Sequence, residues 1–190
     1  MNVRHHIAAV VLAAAGWPVL AAPVVTAVGT IYTASSPYTF SFGQSSFTLT
    51  GTGDPFAPTA ISNGGTGQFK TIFGSPTSEF VGRGVVTFGS GDQYAAFAMP
   101  TPIRFSNGDN FIGLRATNAT GQVFYGYAFT TNNVINSYAF ETVAGQTITA
   151  SATIPPAVPE PATWAMMIGG FGAVGSAMRY RRRKTAVSFA

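Results

Sequence analysis

The chain of 190 residues carries a formal net charge of +4, two histidines and no cysteine. The missing cysteines exclude disulfides, thiol nucleophiles and thiolate metal sites. The positive charge lies at the two ends, because residues 22–158 contain four cations against five carboxylates and therefore net −1. Those four cations stand singly among neutral residues, so we expect no nucleic-acid partner.

Residues 1–21 have the pattern of a secretory signal peptide. Arg4 and the two adjacent histidines form a short basic region, and Ile7 to Leu20 form an apolar core of fourteen residues. This length is typical of a signal-peptide helix and too short for a comfortable membrane span, which makes an uncleaved anchor the weaker alternative. We expect export through the Sec translocon and cleavage after Ala21. The mature chain would then lack histidine, which excludes Ser-His-Asp triads and histidine metal or haem sites.

Residues 22–152 alternate apolar and polar side chains as half-buried β-strands do. In one run, for example, Val123, Tyr125, Tyr127 and Phe129 fall on a single face. Turn-forming residues separate the runs about every ten positions. The predicted turns are 51–55, 63–65, 90–92, 106–109 and 131–133. The pattern predicts an all-β fold, an antiparallel β-sandwich with which a jelly-roll-like strand order is compatible.

The clearest single element is a β-hairpin. Residues 122–130 and 134–141 both alternate, and Thr131, Asn132 and Asn133 supply the turn between them. Asparagine favours such a position because it tolerates left-handed backbone angles.

Residues 22–152 contain few candidate sites. Asp109 and Asn110 offer oxygen ligands for calcium, although the spacing is not that of a recognisable calcium loop and turn formation is the alternative. Thr48, Thr50 and Thr52 would form a short hydroxyl row compatible with ordered water or ice, or simply a solvent-facing strand side. The five carboxylates are far apart in sequence, so no glycosidase pair is evident. We expect no enzymatic activity and no cofactor.

The C-terminal part of the chain changes character. Residues 153–158 are proline-rich and predict a stiff linker. Seventeen uncharged residues, 162–178, would form a transmembrane helix of roughly 25 Å at ~1.5 Å per residue, which suits a thin bilayer. A basic cluster that would remain on the cytoplasmic side follows before the tail 185–190. Its members are Arg179, Arg181, Arg182, Arg183 and Lys184.

Pro159, Glu160, Pro161 and Trp164, followed by the apolar stretch and the basic cluster, resemble the PEP-CTERM sorting signal in its PEPxxWA subclass. The resemblance covers residues 159–184. It implies that exosortase, a membrane-embedded processing enzyme of Gram-negative bacteria, recognises this end and cleaves near the tripeptide. Some descriptions label the same region as an ice-binding-protein C-terminal domain, a name that says nothing about activity.

Together these patterns predict an exported protein that resides transiently in the inner membrane and then at the cell surface or outside the cell. We expect a structural or adhesion component of the surface or of an extracellular polysaccharide matrix, as in a biofilm. Three alternatives stay open: a carbohydrate-binding or hydrolysing module, an ice-binding protein, and a permanent inner-membrane protein.

Overall fold

The computed structural model describes residues 22–153 and 166–175. The chain divides into two compact units between Ala152 and Thr153. The first consists mainly of antiparallel strands, and residues 166–175 of the second form a helix. The predicted signal helix and both ends of the predicted helix 162–178 lie outside the described residues. Within the described ranges, no helix is long and apolar enough to cross a membrane.

Fourteen strands and one short 3-10 helix, Val81–Arg83, occur between residues 22 and 153. The strands are β1 (Val24–Ile31), β2 (Tyr38–Phe42), β3 (Ser45–Gly51), β4 (Thr59–Gly65), β5 (Gln68–Ile72), β6 (Ser75–Pro76), β7 (Glu79–Phe80), β8 (Thr87–Phe88), β9 (Gln93–Ala95), β10 (Thr101–Pro102), β11 (Asp109–Thr117), β12 (Val123–Thr131), β13 (Val134–Phe140) and β14 (Ile148–Thr149).

Two sheets and a two-stranded ribbon organise these strands. The large sheet has the order β1-β13-β12-β11-β5-β6, with β7 paired to β11 and β9 to β5. The small sheet has the order β10-β4-β3-β2, and β14 pairs with β8 in the ribbon. Every pairing is antiparallel. The all-β antiparallel prediction is confirmed, and the arrangement is consistent with a sandwich.

The first hydrophobic core lies between the large and small sheets. Phe47 and Leu49 of β3 alternate with polar residues and are fully buried, as the sequence pattern predicts. They belong to one cluster with Ile112 and Leu114 of β11. Phe47 also meets Phe69 edge to face, with ring centroids 5.4 Å apart. Aromatic contacts of this geometry add to the stabilisation from buried area.

A second hydrophobic core covers the opposite face of the large sheet. Phe88 and Ile148 of the ribbon pack with Tyr125, Tyr127 and other side chains of the large sheet. The central strand β12 is therefore buried on both faces, with all seven residues from 124 to 130 buried. The expectation of a half-buried strand is wrong here because the ribbon covers the face that a simple sandwich would leave to solvent.

The turn predictions have mixed outcomes. The hairpin of β12 and β13 is confirmed, with Asn132 at φ 53° in its turn. The predicted turn at Asn63, Gly64 and Gly65 is wrong, because these residues complete β4 and pair with β3. The Asn63 side chain satisfies backbone groups on both sides by donating to the Gly67 carbonyl and accepting from the Phe97 amide.

The β unit stays ordered up to the predicted linker. Ile148 is fully buried, and the Ala150 amide donates to the Val86 carbonyl at 2.9 Å. The Tyr127 hydroxyl donates to the Ser151 carbonyl at 3.1 Å. Apart from Thr153, the predicted linker 153–158 lies outside the described residues. All the described residues of both cores belong to the first unit, so this unit has a hydrophobic core of its own.

Candidate functional site

The described part of the C-terminal segment is a helix with an apolar surface. All ten residues of 166–175 are exposed, and Met166 and Phe171 are 80% and 72% accessible. The predicted motif residues Pro159, Glu160, Pro161 and Trp164 lie outside the described residues. The same holds for the basic cluster and for the cleavage position Ala21, so their roles stay predictions.

The calcium candidates form a hydrogen-bonded loop. Asn110 is 2% exposed, and its Nδ2 donates to the carbonyls of Ser106, Asn107 and Gly108 at 2.8, 3.1 and 3.1 Å. The Asp109 carboxylate accepts from the Thr131 hydroxyl at 2.6 Å. The loop oxygens thus already serve an amide nitrogen, which favours the turn interpretation. In the described ranges, no three His, Cys, Asp or Glu side chains group as metal ligands.

The threonine row is shorter than the sequence pattern predicts. Thr48 and Thr50 lie on the outer side of β3, and Thr48 shares a 2.8 Å hydrogen bond with Thr39 of the neighbouring strand. Thr52 follows the end of β3, and its hydroxyl donates to the Ala57 carbonyl at 2.5 Å. This third hydroxyl therefore stabilises a loop and does not extend the row.

Folding brings together two carboxylates that the sequence separates. Glu79 and Asp92 each place an oxygen 3.0 Å from the Lys70 ammonium, with all three side chains at most 23% exposed. Burial lowers the pKa of Lys70, but hydrogen bonds to both carboxylates outweigh it and raise that pKa overall. The ammonium also lies 5.2 Å from the centre of the Phe88 ring. Both carboxylates are thus engaged by a cation, the arrangement of a structural ion-pair network.

A polar cavity of about 260 Å³ lies next to this network. We call it the Arg115 pocket. Its lining residues are Gln68, Ser90, Asp92, Tyr94, Arg115 and Tyr125. Strand pairing explains why they meet: Gln68 of β5 is opposite Arg115 of β11, which is opposite Tyr125 of β12. Residues opposite one another in register point to the same face of a sheet.

The ribbon of β8 and β14 determines which part of this sheet face is covered and which part forms the pocket. Gly113 lies two residues from Arg115 on the same face, and a Cβ there would come within 2.5 Å of the Phe88 ring. Phe88 therefore fills the space over the row that contains Gly113. The Arg115 row comes next along the strands, where the polar side chains form the cavity.

Two groups in the Arg115 pocket lack the partners that buried groups normally have. The guanidinium of Arg115 is half-buried and donates to Gln68 Oε1, yet it forms no ion pair with any described carboxylate. The Tyr94 hydroxyl is buried near the Gly89 backbone, without a well-formed hydrogen bond in the described part of the chain. Burial, followed by the nearby Asp92 charge, raises the pKa of Tyr94, and the Arg115 charge opposes this shift.

A larger cavity of about 580 Å³ lies beside Tyr32, Asp54 and Asn132. Its polar groups already have partners within the protein. The Tyr32 hydroxyl bonds to Thr59 and donates to the Asn132 carbonyl, and Asp54 accepts from the Phe56 amide at 2.8 Å. This cavity therefore has few polar groups that are free to bind a ligand.

Sequence reasoning missed the Arg115 pocket because its residues extend from position 68 to position 125 with no fixed spacing. One signal was available. Arg115 is the single cation of β11, and the residues around it in that strand, from Phe111 to Ala116, are mostly apolar. A charge in such a strand needs a partner or a ligand.

The fold and the apolar C-terminal helix define a protein with a β domain followed by a short, separate segment. Residues 157–183 match the family described as the PEP-CTERM protein-sorting motif. The resemblance seen in the sequence is thereby confirmed: the chain carries this motif, which implies export, processing by exosortase and sorting to the cell surface. No curated protein and no solved structure matches the chain.

Proposed function

We propose that the β unit is a structural or adhesion component of the cell surface or of an extracellular polysaccharide matrix. The observation that carries this proposal is the position of the sorting motif, which begins five residues after the end of a unit with its own core. A protein delivered in this way needs a domain that stays folded outside the cell without disulfides. The two aromatic cores of the β unit meet that need.

The tail has a separate, transient role in this proposal. The Sec translocon exports the chain, and residues 162–178 hold it in the inner membrane while the basic cluster stays on the cytoplasmic side. Exosortase then cleaves near Pro159, Glu160 and Pro161. The exposed apolar surface of residues 166–175 supports this role, because Met166 and Phe171 suit a lipid environment better than water.

Mass spectrometry of the mature protein tests this route. We expect a product that begins at residue 22 and lacks the cluster from Arg181 to Lys184. The variant Glu160→Ala should keep its tail and remain in the inner-membrane fraction. Thr185→Ala changes a residue beyond the matched motif and serves as the control, with normal processing expected. A mature wild-type product that retains Arg181 to Lys184 would refute the sorting route and favour a permanent membrane protein.

Fractionation tests the matrix assignment independently. Mature protein should sediment with extracellular polysaccharide and become soluble after enzymatic digestion of that polysaccharide. If correctly processed protein appears only in the free medium, the matrix assignment fails while the sorting route stands.

A further inference from the structure

Of the four cations in the β unit, Arg115 is the one that is half-buried and has no ion pair with a described carboxylate. Lys70 contacts two carboxylates, and Arg83, which is 77% exposed, lies 3.4 Å from Glu79. Arg104 is exposed and therefore solvated by water. Arg115 is half-buried, and its guanidinium donates a hydrogen bond to the neutral side-chain amide of Gln68. A partly desolvated charge without an ion pair is costly, and the carboxylate of a ligand would offset that cost.

We propose that the Arg115 pocket binds one uronate residue of an acidic polysaccharide, with the Arg115 guanidinium paired to the carboxylate of the sugar. This inference rests on the proposed matrix function and names the ligand class of that function. A guanidinium presents two parallel N–H groups that match the two oxygens of a carboxylate.

The rest of the pocket suits a sugar better than a simple anion. Gln68, Ser90 and Asp92 present amide, hydroxyl and carboxylate groups that can bond to ring hydroxyls. Tyr94 and Tyr125 line the same cavity with ring centroids 5.7 Å apart. The exposed lining of the cavity is mainly polar, so hydrogen bonds rather than ring stacking would hold the sugar.

Size and charge limit the ligand further. The cavity volume of about 260 Å³ is below the roughly 300–1,000 Å³ of pockets for drug-sized ligands. The ligand that enters it would therefore be a single sugar ring of a polymer and not several rings. Asp92 keeps a carboxylate at the cavity, although Lys70 and the Gly89 amide hold its two oxygens at 3.0 and 2.9 Å. A singly charged carboxylate is repelled less by this group than a phosphate would be.

Calorimetric titration of the full chain in detergent tests the proposal. The probe is an oligogalacturonate, and its control is the same oligomer after reduction of the carboxylates to alcohols. We expect the acidic oligomer to bind, its affinity to fall as salt is raised, and the reduced oligomer to bind at least about tenfold more weakly. Equal binding of the two oligomers, or no binding of either, would overturn the proposal. This comparison does not depend on any variant folding.

Three variants test whether the oligomer binds at Arg115. Arg115→Gln should weaken binding of the acidic oligomer about tenfold or more, while Arg104→Gln removes the same charge from an exposed site outside the pocket and should leave binding unchanged. Arg115→Lys keeps the charge but loses the planar fork and should be intermediate. Far-ultraviolet circular dichroism checks folding. Equal losses in Arg115→Gln and Arg104→Gln would show general charge attraction and overturn the assignment.

The outcomes for this inference and for the proposed function are distinguishable. Matrix retention of the processed protein is measured by fractionation, without reference to the pocket. Retention that survives Arg115→Gln would leave the proposed function standing and overturn uronate binding as its basis.

Discussion

Tyr32 allows a sharp test of the packing described above. Its side chain is fully buried, and its hydroxyl shares a 2.5 Å hydrogen bond with Thr59 and donates to the Asn132 carbonyl at 2.9 Å. Burial raises the pKa of Tyr32 from 10.0 to about 12, although the bond to Thr59 opposes the shift. The folded protein thus holds this proton more tightly than the unfolded chain does.

The sign and size of the effect follow from this difference. A pKa raised by folding stabilises the native state fully below pH 10, and the stabilisation disappears as pH rises through about 12. Two pKa units correspond to about 2.7 kcal/mol, of which about 2 kcal/mol is lost by roughly pH 11.5. Burial also raises the pKa values of Tyr38, Tyr94 and Tyr127. The wild-type pH profile alone is therefore not diagnostic.

The assay is urea unfolding of residues 22–153 at roughly pH 8 and pH 11.5, for the wild type and for Tyr32→Phe. At pH 8 the variant should be less stable by about 1 kcal/mol, since it loses a buried hydrogen bond. Between the two pH values it should lose about 2 kcal/mol less than the wild type. The order of stability should therefore reverse. Tyr38→Phe, at a half-exposed site, is the control and should change the pH dependence less.

Parallel pH profiles for the wild type and Tyr32→Phe would refute the reasoning. They would mean that the Tyr32 hydroxyl ionises as easily in the folded protein as in the unfolded chain. Burial of the Tyr32 side chain between Thr59 and Asn132 would then be incorrect.

Two further predictions concern packing in the β unit. A Cβ at Gly126 would come within 2.5 Å of the Phe140 ring. Gly126→Ala should therefore destabilise the unit by about 1–3 kcal/mol in urea unfolding. The control Gly91→Ala adds a Cβ in open space and should change stability by less than about 0.5 kcal/mol. Equal effects of the two changes would contradict the register of β12 and β13. Phe47→Ala should cost about 3–5 kcal/mol by calorimetry, whereas Phe73→Ala, at a 97% exposed position, should be close to neutral. A large loss at Phe73 would show that the β unit buries this side chain.

Most of the confirmed fold predictions rested on local sequence patterns. The hairpin of β12 and β13 was predictable because Asn132 and Asn133 supply turn chemistry between two alternating runs. The burial of Phe47 and Leu49 followed from their alternation with polar residues. Asn63, Gly64 and Gly65 show the limit of such reasoning. Their composition is typical of a turn, but pairing with β3 and two hydrogen bonds from the Asn63 side chain hold them in a strand.

The candidate sites also differ in whether they could be predicted from the sequence alone. The sorting motif was predictable because its residues are contiguous in the sequence, at positions 157–183. The Arg115 pocket could not be predicted from the sequence, because strand pairing brings its residues together from four strands and the loop before β9. Likewise, the salt-bridged cluster of Lys70, Glu79 and Asp92 exists only once β5, β7 and the loop before β9 meet.

The sorting motif and the β character of the domain could both be predicted from the sequence, because they depend on the order and periodicity of residues along the chain. Which faces of each strand are buried depends on the packing of the sheets against one another. Alternation predicts that a strand has two different faces, but only the ribbon of β8 and β14 shows that the second face of the large sheet is covered as well. Beyond the area that Phe88 covers, Arg115 is half-buried and has no carboxylate partner among the described residues. This placement depends on contacts between residues far apart in sequence.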